Sequence, residues 1–169
     1  MAVEALRSSL LEFDGVAVSI LSEARARCRE DDGFLDDLIV LVADPSTTVA
    51  DGATWILKAE LEEDAVLPPD LTEALVSALQ GLTTWQSLLH VFQIVEQLDL
   101  SEAQAGRVIR RAKTFAGHKR PFLRAWSLHA VVVLGRQFHK YRQDAEAALK
   151  QAEADKAASV RARARRLRR

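Results

Sequence analysis

Arginine and lysine side chains form the cluster in this sequence that is best suited to binding chemistry. Arg107, Arg110 and Arg111 share one face if residues 102–115 are helical, because positions three and four apart are neighbours on a helix. The run His118-Lys119-Arg120 then precedes the next predicted helix, whose N-terminus also favours anions. We therefore expect a positively charged surface that binds an acidic partner. Its candidate residues are Arg107, Arg110, Arg111, Lys119, Arg120, Arg124, Arg161 and Arg165.

The formal charges are unevenly distributed along the 169 residues. Residues 1–100 contain 19 Asp or Glu and 5 Lys or Arg, whereas residues 101–169 contain 5 Asp or Glu and 18 Lys or Arg. The first part therefore carries −14 and the second +13, within a net charge of −1. Such a separation indicates an extended electric field. It is compatible with head-to-tail self-association, which salt should weaken.

Residue types that perform catalysis or hold metals occur without the spacing that those functions need. The acidic run at residues 60–64 predicts a solvated acidic face rather than a pair of catalytic carboxyl groups. His118, His129 and His139 stand ten or eleven residues apart, which does not match a metal-binding motif. The sequence has no Gly-x-Ser-x-Gly turn and no glycine-rich phosphate loop. We therefore expect no enzymatic activity, no cofactor and no metal site.

The single cysteine, Cys28, cannot form a disulfide within the chain, which favours a reducing, cytoplasmic compartment. Arginines at positions 25, 27 and 29 could lower its pKa, although a structural thiol is the favoured interpretation. The N-terminal apolar runs contain acidic residues and lack a cleavage site, so we expect no export signal. The apolar run at residues 125–134 is too short to cross a membrane, so no membrane contact is expected.

Helices are the elements expected to position these side chains. Good helix formers such as Ala, Leu and Glu dominate the sequence, and only seven Gly and four Pro interrupt it. Apolar residues recur three and four apart, as on the buried face of a helix, and segments with this pattern pair across short polar joints. The predicted pairs are 34–43 with 49–62, 71–79 with 84–98, 101–115 with 122–137, and 142–152 with 156–168, after a degenerate first pair at 3–12 and 15–29.

Two β-branched runs, at residues 39–42 and 131–133, would suit strands if they stood alone. They lack the alternation of a half-buried strand and lie within helical patterns. Ser101, followed by Glu102, predicts a capped helix start. The sequence therefore predicts an all-α chain.

The second segment of each of the four later pairs recurs at a nearly constant spacing, and this regularity indicates repeats. Equivalent positions lie 36, 38 and 37 residues apart, at Val49, Trp85, Leu123 and Val160. The turn Pro121-Phe122-Leu123-Arg124-Ala125 and the segment at 159–164 look like the Pro-x-Val-Arg openings of HEAT-repeat helices. The sequence thus resembles the HEAT-repeat family over about residues 31–169.

The resemblance implies a right-handed α-solenoid of four to five stacked helical hairpins, with residues 1–169 forming a single HEAT-like domain. An unrelated helical bundle is the alternative. In HEAT repeats an arginine at the second-helix position commonly hydrogen-bonds an aspartate at the preceding helix joint. Arg124 and Arg161 stand at that position here, and Asp44 or Asp155 would be the implied aspartate.

The expected function is a non-catalytic binding or scaffold module that engages an acidic segment of a protein partner through a concave or basic C-terminal surface. The alternative is sequence-nonspecific nucleic-acid binding through the Arg/Lys-rich C-terminal half, since some HEAT-like DNA-repair glycosylases grip DNA in this way. A charged cap on a terminal repeat would also explain the arginines of the last helix. Reversing Lys119, Arg120 and Arg124 to Glu is expected to abolish partner binding and to preserve helix content.

Overall fold

The computed structural model describes residues 2–169, apart from the side chain of Ala2, and the chain there consists of helices joined by turns and short loops. No strand occurs in this range, so the predicted all-α class is confirmed. The β-branched runs at residues 39–42 and 131–133 are helical, as predicted. No helix of residues 2–169 is both long enough and apolar enough to span a bilayer.

The chain divides into two compact units, residues 1–97 and residues 98–169. Both contain buried apolar side chains. The single continuous domain expected from the sequence stays a prediction. The helices of the first unit are α1 Ala2–Leu11, α2 Val18–Cys28, α3 Phe34–Val42, α4 Thr47–Glu62, α5 Pro69–Leu79 and α6 Trp85–Gln93, followed by a 3₁₀ turn at Val95–Gln97.

Helix α4 is the centre of the first unit, since α1, α2, α3 and α6 all pack against it. Most of its residues from Val49 to Leu61 are buried, as expected for a helix enclosed by other helices. Gly52 gives two of these neighbours room, because a Cβ atom there would lie 3.0 Å from side-chain carbons of both Leu10 and Leu21. The absence of a side chain at position 52 therefore allows α1 and α2 to approach α4 closely.

Helix α8 has the same role in the second unit, where α7, α9 and α10 pack against it. One apolar cluster joins Leu128 and Val132 of α8 to Leu149 of α9 and Leu167 of α10. The unit therefore has a continuous core. Its elements are α7 Glu102–Lys113, α8 Pro121–Gln137, a 3₁₀ turn at His139–Tyr141, α9 Arg142–Glu153 and α10 Ala158–Arg168.

The predicted helix boundaries agree with the structure to within a few residues, with one exception. Helix α7 starts at the predicted cap: the Ser101 hydroxyl accepts from the Gln104 amide, and the Gln104 side chain accepts from the Ser101 amide at 2.9 Å. The exception is α6, predicted to reach residue 98 but ending at Gln93. Ile94 and Val95 are both buried.

Gly135 lies where α8 meets the start of α9, and the site has no room for a side chain. A Cβ atom there would lie 2.7 Å from both the Cβ atom of Ala145 and the carbonyl oxygen of Tyr141. Neither atom can move without moving the backbone of α9 or of the 3₁₀ turn before it. Gly135→Ala is therefore expected to lower the free energy of unfolding by about 2 kcal/mol, despite the higher helix propensity of alanine. Urea unfolding followed by circular dichroism measures the change.

Gly117→Ala is the matched control for this substitution, because a Cβ atom at position 117 would meet nothing within 4 Å. We expect this variant to keep the stability of the unchanged protein. Equal stability of the two variants would contradict the close contact between α8 and α9.

Candidate functional site

A buried ion pair ties together two helix joints at one edge of the second unit. Arg124, in the first turn of α8, donates from Nε to Oδ2 of Asp155 and from Nη2 to Oδ1, both at 2.8 Å. Its Nη1 atom donates to the carbonyl oxygen of His118 at 2.6 Å. His118 lies in the joint before α8, and Asp155 lies in the joint before α10. Arg124 therefore holds both joints together.

The contact between Arg124 and Asp155 differs from the one that the HEAT resemblance implies, because Asp155 lies in the joint before α10 and not in the joint before α8. The hydrogen bonds from Arg124 hold the pKa of Asp155 below its ordinary value, and the Ala157 amide, 2.8 Å from Oδ1, lowers it further. Because Arg124 is only 5% exposed, it is not available to a partner on the surface, contrary to the sequence-based expectation. It stabilises the edge from within.

Arg161, near the start of α10, is also engaged inside the unit. Its Nη1 atom donates to the carbonyl oxygens of Asp155 at 2.6 Å and of Lys156 at 2.9 Å. The implied contact between Arg161 and Asp155 is thus present, through the main chain instead of the carboxylate. The side chain is half-buried, so Arg161 shapes the joint before α10.

Three exposed cations, Lys119, Arg120 and Lys156, belong to the two joints that Arg124 connects. Phe122 follows in the first turn of α8 and is 54% exposed. We name the surface formed by these four residues the basic edge. The N-termini of α8 and α10 lie there, and their dipoles add to its positive potential.

The remaining predicted residues lie outside the basic edge, on α7 and α10. Arg111 comes nearest along the chain: its Cζ atom lies 5.0 Å from the ring centre of Phe115, which in turn meets the His118 ring edge-on at 6.1 Å. Arg110 and Arg165 are exposed and Arg107 is half-buried, each at least one helical turn from the joints. The structure therefore brings together Lys119, Arg120, Arg124 and Arg161 and places Arg107, Arg110, Arg111 and Arg165 apart from them.

The second unit engages most of its own carboxylates in ion pairs. Residues 98–169 contain 6 Asp or Glu against 18 Lys or Arg, a net charge of +12. Five of the six acidic residues are paired within the unit, so its own carboxylates cannot balance this charge. The pairs are Glu102 with Lys140, Asp144 with Lys113, Glu146 and Glu153 with Arg168, and Asp155 with Arg124.

A small cavity of about 140 Å³ lies between α7, α8 and α9. Alanines of α7 and α9 line its sides, together with Leu128 and Val131 of α8, and the ion pair between Lys113 and Asp144 connects α7 to α9. The Ser127 hydroxyl, also in the lining, donates to the carbonyl oxygen of Arg124 at 2.9 Å. Arg124 and Asp155 also line the cavity, so it lies beside the buried ion pair.

The first unit contains an ion pair of the same geometry. Arg7 donates from Nε to Oδ2 of Asp44 at 2.7 Å and from Nη2 to Oδ1 at 3.2 Å, and Asp44 also accepts from the Ser46 amide. Asp44 and Asp155 each lie three residues before a second helix. Sequence reasoning identified both aspartates but missed Arg7, because α1 lies outside the regular repeat spacing.

In the acidic run at residues 60–64, Glu62, Glu63 and Asp64 are exposed, as expected for a solvated face, whereas Glu60 is buried. Glu60 is 7% exposed and lies 2.5 Å from Nε of Arg25. Hydrogen bonds from Arg25 lower the pKa of Glu63 to about 2. The pKa of the Cys28 thiol lies above its ordinary value, because burial raises it and nearby Asp31 adds to the rise, so the alternative of a thiol activated by the neighbouring arginines is not supported.

No group of three His, Cys, Asp or Glu within residues 2–169 is arranged to hold a metal ion. No protein-family pattern, curated protein or solved structure matches this chain. Its function is therefore inferred from the site itself.

Proposed function

We propose that this protein is a non-catalytic binding module whose basic edge holds an acidic segment of a protein partner. The observation that supports the proposal is the charge excess of the second unit, whose own carboxylates are mostly paired inside it. Arg124 fixes the two joints that carry Lys119, Arg120 and Lys156. A surface that is ordered before binding loses less entropy when the partner arrives.

The proposed architecture is a right-handed solenoid of HEAT-like hairpins. Its support is the recurring spacing of the second helices and the repeated arginine–aspartate pair at the joints, Arg7 with Asp44 and Arg124 with Asp155. Helical repeats of this kind present long surfaces to protein partners. An experimental structure of the full chain tests the arrangement directly.

Replacing Lys119, Arg120 and Lys156 together with Glu should weaken binding of an acidic probe about thirtyfold, or about 2 kcal/mol. The expected cause is repulsion between the new carboxylates and those of the probe. Lys156 replaces Arg124 in this design, because charge reversal at the buried Arg124 would break the ion pair with Asp155. Fluorescence anisotropy with a labelled ten-residue polyglutamate peptide at low salt measures the affinity.

A second triple variant separates the basic edge from net charge alone. Arg142, Lys150 and Arg166 are exposed residues of the same unit, and their replacement by Glu changes the charge by the same amount. We expect this variant to lose much less affinity, and circular dichroism should show unchanged helix content in both. Equal losses in the two variants would contradict a role for the basic edge.

Nucleic acid is the second candidate ligand, since phosphates would meet the same cations and the same two helix N-termini. Isolation of the tagged protein from its native lysate, with and without nuclease, distinguishes the candidates. The proposal is supported if a stoichiometric protein partner is recovered despite nuclease treatment and is not recovered with the variant in which Lys119, Arg120 and Lys156 are replaced by Glu. Recovery that disappears with nuclease supports nucleic acid. In a separate measurement on the purified protein, a molecular size that rises with protein concentration only at low salt supports head-to-tail self-association.

A further inference from the structure

Phe122 is the one exposed aromatic residue in the part of the chain that the structure describes. It is 54% exposed, whereas the other Phe, Trp and Tyr residues of this range are buried or half-buried. Its position in α8 explains the exposure: the next three residues, 123–125, are buried, so the face with Phe122 lies outward. An aromatic ring open to water is available for contact with a partner.

The ring lies at the basic edge, among exposed cations. Arg120 precedes it by two residues and Lys119 by three, and Lys156 belongs to the joint that Arg124 connects to this one. Aromatic residues, including Phe, and Arg are enriched at protein interfaces relative to the rest of the surface. Here both types occur on one edge that Arg124 holds in place.

We propose that the acidic segment bound at the basic edge also carries a large apolar or aromatic side chain, which packs on Phe122. This inference depends on the proposed function and specifies the chemistry of the partner. The carboxylates of the segment would meet Lys119, Arg120 and Lys156, and its apolar residue would cover the ring. Charge alone attracts many partners, whereas an apolar contact beside the charges selects among them.

A protein segment fits this surface better than a nucleic acid strand does. Single-stranded nucleic acids are commonly bound by several aromatic rings on which successive bases stack. The neighbouring ring, Phe115, is half-buried and already contacts Arg111 and His118. The single exposed ring of Phe122 therefore suits one apolar side chain of a protein segment.

Two labelled peptides test the inference on the intact 169-residue chain: ten residues rich in Glu with a central Trp, and the same peptide with Ala in place of Trp. The Trp peptide should bind about tenfold more tightly than the Ala peptide. Phe122→Ala should remove this difference and leave binding of the Ala peptide unchanged. Phe122→Leu should keep part of the difference in affinity between the two peptides. Val40→Ala, which truncates an exposed apolar side chain of the first unit, is the matched control and should change neither affinity.

The outcomes separate this inference from the proposed function. Equal binding of both peptides, with no effect of Phe122→Ala, would overturn the apolar contact but leave the acidic-segment proposal intact. Failure of both peptides to bind at low salt would overturn both. An oligothymidine of equal charge that binds more tightly than either peptide, and loses affinity in Phe122→Ala, would assign the ring to base stacking instead.

Discussion

Arg124→Ala is expected to lower the free energy of unfolding by about 4 kcal/mol. The substitution removes the bidentate partner of Asp155 and the bond to the carbonyl oxygen of His118, and it leaves a partly buried carboxylate without its cation. Breaking a buried ion pair in this way costs about 3 to 5 kcal/mol. Urea unfolding at pH 7 should show a lower midpoint with an unchanged slope.

Arg7→Ala provides the comparison, because Arg7 makes the same bidentate pair with Asp44 in the first unit. The Arg7 side chain is 32% exposed, compared with 5% for that of Arg124. Water can replace much of the hydrogen bonding and charge stabilisation that Arg7 provides to Asp44, so Arg7→Ala should destabilise the protein less than Arg124→Ala. If Arg7→Ala were as harmful as Arg124→Ala, burial would not be the source of the larger effect.

The ion pair between Arg124 and Asp155 shows which parts of the site were predictable from the sequence. The sequence pattern placed Arg120 in the joint before a helix and Arg124 at the start of that helix, and the HEAT resemblance suggested an aspartate partner for Arg124 at the preceding joint. Periodicity gives the face of a helix on which a residue lies but not how deeply that face is covered. Arg120 is exposed and Arg124 is buried, because α9 and α10 pack on the side of α8 that carries Arg124.

Local sequence patterns could not predict the contacts between residues that are far apart in the sequence. Arg25 and Glu60 stand 35 residues apart, and no spacing rule links them, yet they form a close ion pair. The sequence therefore suggested a solvated acidic face where the structure has a buried carboxylate. The exposure of Phe122 was hidden for a similar reason, since an apolar residue at a helix start is normally read as part of the core.

Helix order and helix ends were predictable because they depend on local signals. Prolines at the starts of α5 and α8 and the cap at Ser101 mark boundaries within a turn of the chain. The end of α6 was not predictable in this way. No proline, glycine or capping residue in the sequence marks its end at Gln93.

Lowering the pH from 7 to 4 should reduce the free energy of unfolding by about 3 kcal/mol through His90 alone. Burial disfavours the charged imidazole and lowers its pKa to about 4, and Lys58 adds to the shift by repulsion. Nδ1 of His90 lies 3.0 Å from the hydroxyl oxygen of Thr54. In the unfolded chain the imidazole has its ordinary pKa of 6.5, so the unfolded state binds the proton first as the pH falls.

The contribution of His90 is therefore complete above pH 6.5, declines between pH 6.5 and pH 4, and levels off below pH 4. Urea unfolding at pH 7, 5.5 and 4 should show a shallower decline for His90→Gln than for the unchanged protein. Hydrogen bonds from arginines hold the pKa values of Glu63 and Asp155 below their ordinary range, so loss of those pairs extends to lower pH. Lys58→Gln, which removes one source of repulsion, should also make the decline shallower. Parallel profiles for His90→Gln and the unchanged protein would show that His90 does not cause the loss of stability.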